Sequence, residues 1–230
     1  MIRTCLTIFA IVSSTLLTAQ GCQSTKPVGE GAPPAFQSQL FEKGELIYSD
    51  TFDGELNTTR WMKRTDNWVI EDGKLIGAPD YKDKETAMKA LKRDHHLGLS
   101  PVIRLDKLPK KFVVRMRLKY EGEFPRGQRS AKVDVGHHIN NLNFTDEGFS
   151  LKLSGGHRPD PVAIKSLRNR WFDLTVELEQ GRMAITIDGE TTVIRHEQVS
   201  MKDRSEFTFK TADGPKNRIL FDSVEIWKAE

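Results

Sequence analysis

The stretch Phe112-Val113-Val114-Arg115-Met116-Arg117-Leu118-Lys119-Tyr120 decides the fold class. Apolar residues fall at 112, 114, 116, 118 and 120, and the residues between the last four of them are all cations. A repeat of two is that of an extended strand with one buried face and one wet face. The same alternation separates Phe172, Leu174, Val176 and Leu178 from Asp173, Thr175, Glu177 and Glu179. It recurs in Met183, Ile185 and Ile187, in Phe149, Leu151 and Leu153, and in Phe207 and Phe209. Between these runs lie Asp72-Gly73, Asn140-Asn141, Glu147-Gly148, Gln180-Gly181 and Asp188-Gly189, pairs that tolerate positive φ and close tight hairpins. Many one-sided strands joined by hairpins bury their greasy faces by packing two antiparallel sheets against each other. The expectation is an all-β sandwich. Only Asp83 to Arg93, with Met88 and Leu91 three apart, reads as helical, an excursion between strands.

Composition agrees and excludes alternatives. At 230 residues the chain is long enough for one sizeable core and short for two. The 35 Lys+Arg against 32 Asp+Glu are too evenly balanced for a dedicated nucleic-acid binder, which concentrates positive charge. No phosphate loop, dinucleotide fingerprint or serine-nucleophile elbow is present, and no cofactor is implied.

Residues 1–21 are of another kind. Arg3 is the only charge, and Leu6 to Thr18 is an apolar and small-residue run too short to span a bilayer, which takes about 20 helical residues. This reads as a secretory signal. Ala19-Gln20-Gly21-Cys22 resembles a bacterial lipobox, with Cys22 as the lipid attachment and the mature first residue; ordinary cleavage nearby, leaving a free thiol, is the alternative. Cys5 is the only other cysteine and lies in the removed segment, so no internal disulfide is possible. Acyl chains on Cys22 would hold the protein at a membrane in the bacterial cell envelope, with Gln23 favouring the outer membrane. Residues 22–43, with Gly29-Glu30-Gly31-Ala32-Pro33-Pro34, read as a flexible tether, and 44–230 as the globular domain.

Four ordered stretches carry a family resemblance: Tyr48-Ser49-Asp50-Thr51-Phe52-Asp53-Gly54 with Trp61; Trp68 through Asp72-Gly73 to Leu75; Trp171 to Glu177 leading to Asp188-Gly189; and Ile219 to Trp227. Their order resembles the 3-keto-disaccharide hydrolase domain family, within the concanavalin A-like lectin/glucanase superfamily. The resemblance implies a jelly-roll sandwich with one concave sheet that binds or hydrolyses sugars at the cell envelope. The motif residues themselves are architectural: Phe52, Trp61, Trp171, Phe221 and Trp227 are expected in the core.

Ordinary glycosidases need two carboxylates flanking the scissile bond. The glucanases of this superfamily carry acidic residues at i, i+2 and i+4 of one strand, and that triplet is absent here. Asp173, Glu177 and Glu179 come nearest and read as a solvated strand face, with Glu179 pairing across its turn with Arg182. In Val133-Asp134-Val135-Gly136-His137-His138-Ile139, parity sends His137 inward and sets Asp134 and His138 on the outer face. With Asn140-Asn141 as a two-residue turn, Asn143 falls opposite His138, and Lys152 is an outer residue of the next hairpin. Arg115 and Arg117 are placed on a possible neighbouring strand, and His96, in the basic insertion Tyr81 to His96, near the mouth of a groove. Asp134 and His138 are then the candidate acid/base pair, with Arg115, Arg117, Asn143, Lys152 and His96 as sugar contacts. The plainer alternative is an ordinary solvated face. A zinc site would need His95 or His96 to meet His138 across the fold; adjacent histidines of a strand point apart, and no metal site is assigned. Two functions stay open: an envelope lipoprotein that binds and hydrolyses a glycan or small sugar such as a keto-disaccharide, and a non-catalytic carbohydrate- or protein-binding surface module.

Overall fold

A computed structural model describes residues 37–92, 98–123, 131–136, 140–200 and 205–229. In chain order the elements are β1 (Lys43–Asp50), β2 (Trp61–Lys63), β3 (Trp68–Glu71), β4 (Lys74–Gly77), α1 (Lys84–Leu91), β5 (Val102–Leu105), β6 (Phe112–Glu121) and β7 (Lys132–Val135). There follow β8 (Asn140–Thr145), β9 (Gly148–Lys152), β10 (Val162–Ala163), β11 (Trp171–Glu179), β12 (Arg182–Ile187), β13 (Glu190–Arg195), β14 (Phe207–Lys210) and β15 (Arg218–Ala229). Eight strands form one sheet in the order β13-β12-β11-β6-β15-β4-β3, with β1 also paired to β15. Seven form the second, β10-β9-β8-β7-β14-β5-β2. Every strand pairing is antiparallel. The expected sandwich is what forms.

The period-two reading of β6 holds along its length. Phe112, Val114, Met116, Leu118 and Tyr120 all lie in the core between the sheets. Aromatic rings bridge the two layers: Phe112 meets Phe207 at 5.5 Å, Tyr120 meets Phe144 at 5.6 Å, and Phe221 meets Phe209 at 4.9 Å and Trp61 at 5.3 Å. Tilted and edge-on rings at such spacings add to the area term. Tyr120 is polar only at its tip, and its hydroxyl donates to the Lys132 carbonyl at 3.0 Å, fastening β6 to the first residue of β7. The Tyr48 to Trp61 motif is architectural, as expected: the Trp61 indole donates to the Tyr48 hydroxyl at 3.0 Å, and that hydroxyl donates to Asp50 at 2.6 Å.

Asp72-Gly73 and Asp188-Gly189 close two-residue hairpins with both residues at positive φ, the backbone a right-twisted hairpin needs. Gln180-Gly181 turns β11 into β12. Asn140-Asn141 does not turn. Both residues belong to β8 and pair with Val135 and Asp134. The hairpin between β8 and β9 also sits one residue earlier than expected, on Asp146-Glu147.

Helix α1 is capped by the Asp83 carboxylate, which accepts from the Thr86 amide at 2.7 Å. Ala87 is the residue it buries, while Met88 stays 46% exposed. Two expected core tryptophans lie elsewhere. Trp171 and Trp227 both sit on the outer side of the eight-stranded sheet, paired with Lys119 and Val113. Trp227 is nonetheless buried and Trp171 half-buried.

That outer side is covered where the expected tether ends. Across the sheet run Trp227, Val113, Glu177 and Ala184, each opposite the next, and all four are buried. Glu177, expected on a solvated face, is 0% exposed because residues 38–40 close over it. Ser38 Oγ donates to its Oε2 at 2.6 Å, the Gln39 amide to both oxygens at 2.8 and 3.0 Å, and the Leu40 amide to Oε2 at 2.8 Å. Phe41 lies beneath the Lys111 ammonium at 4.9 Å. Residues 37–41 thus form a strap bound to the sheet. A buried carboxylate is tolerable only when its oxygens are fully hydrogen-bonded, and backbone amides do that here.

Candidate functional site

The outer face of the seven-stranded sheet carries polar groups that ordinary solvated strands do not bury. Strand β7 stands between β8 and β14. Its register lines up Lys152 (β9), Asn141 (β8), Asp134 (β7), Thr208 (β14), Arg104 (β5) and Met62 (β2) in one row across the sheet. The next row holds Ser150, Asn143, Lys132 and Lys210. Five strand spacings of about 4.8 Å make the first row about 24 Å long.

Asp134 sits at the middle of this face and is 1% exposed. Its Oδ1 accepts from the Asn141 side-chain amide at 2.8 Å, and its Oδ2 lies 2.9 Å from the Lys132 ammonium. Arg104 and Glu206, 7% and 3% exposed, form a second ion pair with Nη1 to Oε2 at 2.9 Å. Glu206 stands two residues before Thr208 on the same face of the chain, so the two buried carboxylates are diagonal neighbours across β7 and β14. Arg104 Nη2 contacts the Met62 sulfur, and Arg104 Nε is buried with no hydrogen-bond partner. On the core side, Asn140 closes the end of β8 by donating to the carbonyls of Val135 at 3.1 Å and Ser200 at 2.9 Å.

The sequence-derived candidates divide. Asp134, Asn143 and Lys152 share this face, as expected. Because Asn140-Asn141 is strand, the register changes: Asn143 stands opposite Lys132, and Asn141 is the residue opposite Asp134. Asn143 supports the row indirectly, donating to the Asn141 carbonyl at 3.2 Å. Arg115 and Arg117 are not neighbours of Asp134. They lie on the outer side of the other sheet, where Arg117 pairs with Asp173 at 3.4 Å. Strand β6 follows β5 in sequence but adds to the opposite layer. His138 and His96, like His137, His95 and Cys22, lie outside the described residues. Among the described residues no group of three or more His, Cys, Asp or Glu is arranged to hold a metal ion.

Sequence reasoning missed Lys132, Asn141, Thr208, Arg104 and Glu206. Strand parity alone identifies Arg104 and Thr208 as outer residues, but only the pairing of β14 with both β5 and β7 brings them beside Asp134.

Solved structures with this arrangement include both enzymes and a lectin. The laminarinase from Flavobacterium sp. UMI-01 superposes with a TM-score of 0.54 at 12% identity, covering 80% of this chain and 100% of the enzyme. The fold is the concanavalin A-like jelly roll. The VIP36 exoplasmic/lumenal domain in its Ca2+/Man2-bound form gives 0.53 at 11% identity, over 78% of this chain and 87% of that domain. The apo Crh5 transglycosylase gives 0.57 at 10% identity, over 84% and 90%. No family model and no curated protein matches the sequence, so the narrower keto-disaccharide hydrolase resemblance rests on the quoted motifs.

Proposed function

We propose that the outer face of the seven-stranded jelly-roll sheet is a glycan-binding surface. The observation that carries this reading is the row Lys152-Asn141-Asp134-Thr208-Arg104-Met62, in which the Asn141 amide and the Arg104 guanidinium are held by the buried carboxylates of Asp134 and Glu206, with the Thr208 hydroxyl between them. Sugar hydroxyls are met by such mixed donors and acceptors, and prior fixing of the protein groups lowers the ordering cost of binding. The similar laminarinase, transglycosylase and mannose-bound VIP36 structures are consistent with a sugar ligand.

Binding is favoured over hydrolysis by the state of Asp134. A nucleophile or general acid must present an oxygen to the substrate. Both oxygens of Asp134 are already engaged, by Asn141 and Lys132, and Glu206 is held by Arg104. Cleavage of a keto-disaccharide through Asp134 and His138 is the second reading, and the family resemblance is what favours it.

Export and attachment to the bacterial envelope through a lipid on Cys22 belong to the same proposal, supported by the signal-like segment and the small residue before that cysteine. Radiolabelled palmitate incorporation that disappears in Cys22→Ser tests the anchor.

The binding reading is tested on the full chain with an array of neutral and acidic oligosaccharides. Thr208, half-exposed in the middle of the row, is the site to block. Thr208→Phe is expected to abolish capture of the bound glycan with the melting temperature unchanged. Undiminished capture by a folded Thr208→Phe protein would overturn the assignment of this face.

A further inference from the structure

We infer that the glycan accepted by this face is acidic, an oligosaccharide carrying uronate carboxylates, which rests on the glycan reading above. The inference comes from matching charges on the face. Among the described residues of its strands and the residue leading into β14, the cations on this face are Lys132, Lys152, Lys210 and Arg104 and the carboxylates are Asp134 and Glu206. Lys132 is matched to Asp134 and Arg104 to Glu206. Lys210 reaches Asp213 at 3.6 Å at the rim. Among the described residues no carboxylate pairs with Lys152. Its neighbour in the row is the uncharged Asn141, and the next residue, Asp134, already has its ammonium partner.

The second observation lies at the other end. Arg104 is anchored through Nη1, but its buried Nε has no acceptor. A buried donor without a partner is costly, and a ligand oxygen would remove that cost. Lys152 and Arg104 are four strands apart in the row, about 19 Å at about 4.8 Å per spacing. A monosaccharide cannot touch both. An extended oligosaccharide can, with an uncharged oxygen at the Arg104 end and a carboxylate on Lys152. Lys152 is half-exposed, so its attraction is screened by salt.

The test titrates the full chain with a hexamer of galacturonic acid and with a neutral glucose hexamer, at low salt and at half-molar sodium chloride. The acidic hexamer is expected to bind about three- to five-fold tighter at low salt, with the preference shrinking at high salt. Lys152→Gln is expected to weaken the acidic hexamer about three- to five-fold, the range of a partly exposed ion pair, and the neutral one by less, so that the preference between them falls. Equal affinity for the two hexamers, or an acidic preference untouched by Lys152→Gln, overturns the inference while the glycan reading stands. Failure of both hexamers and of every array glycan to bind overturns the two together. Unchanged melting of Lys152→Gln assigns any loss to contact rather than folding.

Discussion

Arg104 and Glu206 form an ion pair on the outer side of the seven-stranded sheet, Nη1 to Oε2 at 2.9 Å, with side chains only 9% and 4% exposed. A pair this deep is held together by what would happen if one partner left. Glu206→Leu strands a buried guanidinium and is expected to cost about 3–5 kcal/mol. Adding Arg104→Met removes the stranded charge and recovers most of that loss. Urea unfolding of the two singles and the double gives the coupling directly, and additive losses would mean that the pair is not buried in solution.

Glu177 is the keystone of the strap. Glu177→Gln keeps the shape but exchanges an anionic acceptor of three amide hydrogen bonds for a weaker neutral one. The expected loss is about 1.5–3 kcal/mol, the range for hydrogen bonds to a charged group. Hydrogen exchange at the Gln39 and Leu40 amides is expected to quicken by one to two orders of magnitude, about as much as that loss allows. Unaltered exchange would show that the strap is held by something else.

Asp173 gives a pH dependence with a definite sign. Burial pushes its carboxyl above the usual range, against the pull of Arg117 and Arg115 and with help from Asp188 and Asp222. The folded protein therefore binds this proton more tightly than the unfolded chain, and this contribution to stability falls as pH rises through and above about 4. Asp173→Asn removes the titration. Relative to wild type, the variant should gain stability between pH 3.5 and 7, measured by denaturant melts across that interval; a relative loss would contradict the assignment.

Phe221 touches Phe52, Trp61, Trp68 and Phe209 and is fully buried. Phe221→Ala is expected to cost about 3–5 kcal/mol, lowering the melting temperature with little effect on the outer faces of the folded protein. Calorimetry and glycan binding below the new melting point check both halves of that statement.

How much of this was legible in the sequence follows from range. The alternation of β6 is local, and it gave the sandwich, the inward residues and the two Asp-Gly hairpins without further information. Asn140-Asn141 has turn chemistry but sits in a strand, because Val135 and Asp134 offer it partners and Asn140 finds the Ser200 carbonyl across the end of the sheet. Because the pairing runs on through these two residues, Asn141 stands opposite Asp134, and Asn143 stands opposite Lys132 instead of His138. Nothing local separates Arg115 and Arg117 from Asp134, because which sheet a strand joins is decided by long-range pairing that no local pattern records. Glu177 shows the same limit. Parity correctly sends it outward, and only the docking of residues 38–40, which are 137 or more positions away, turns an outward carboxylate into a buried one.

The strap also settles a matter of approach. The polypeptide enters the domain over Glu177, on the layer opposite Asp134, so residues 38–40 and the proposed glycan face occupy different sheets. A long polysaccharide lying across the Lys152 and Arg104 row would therefore meet no part of the strap.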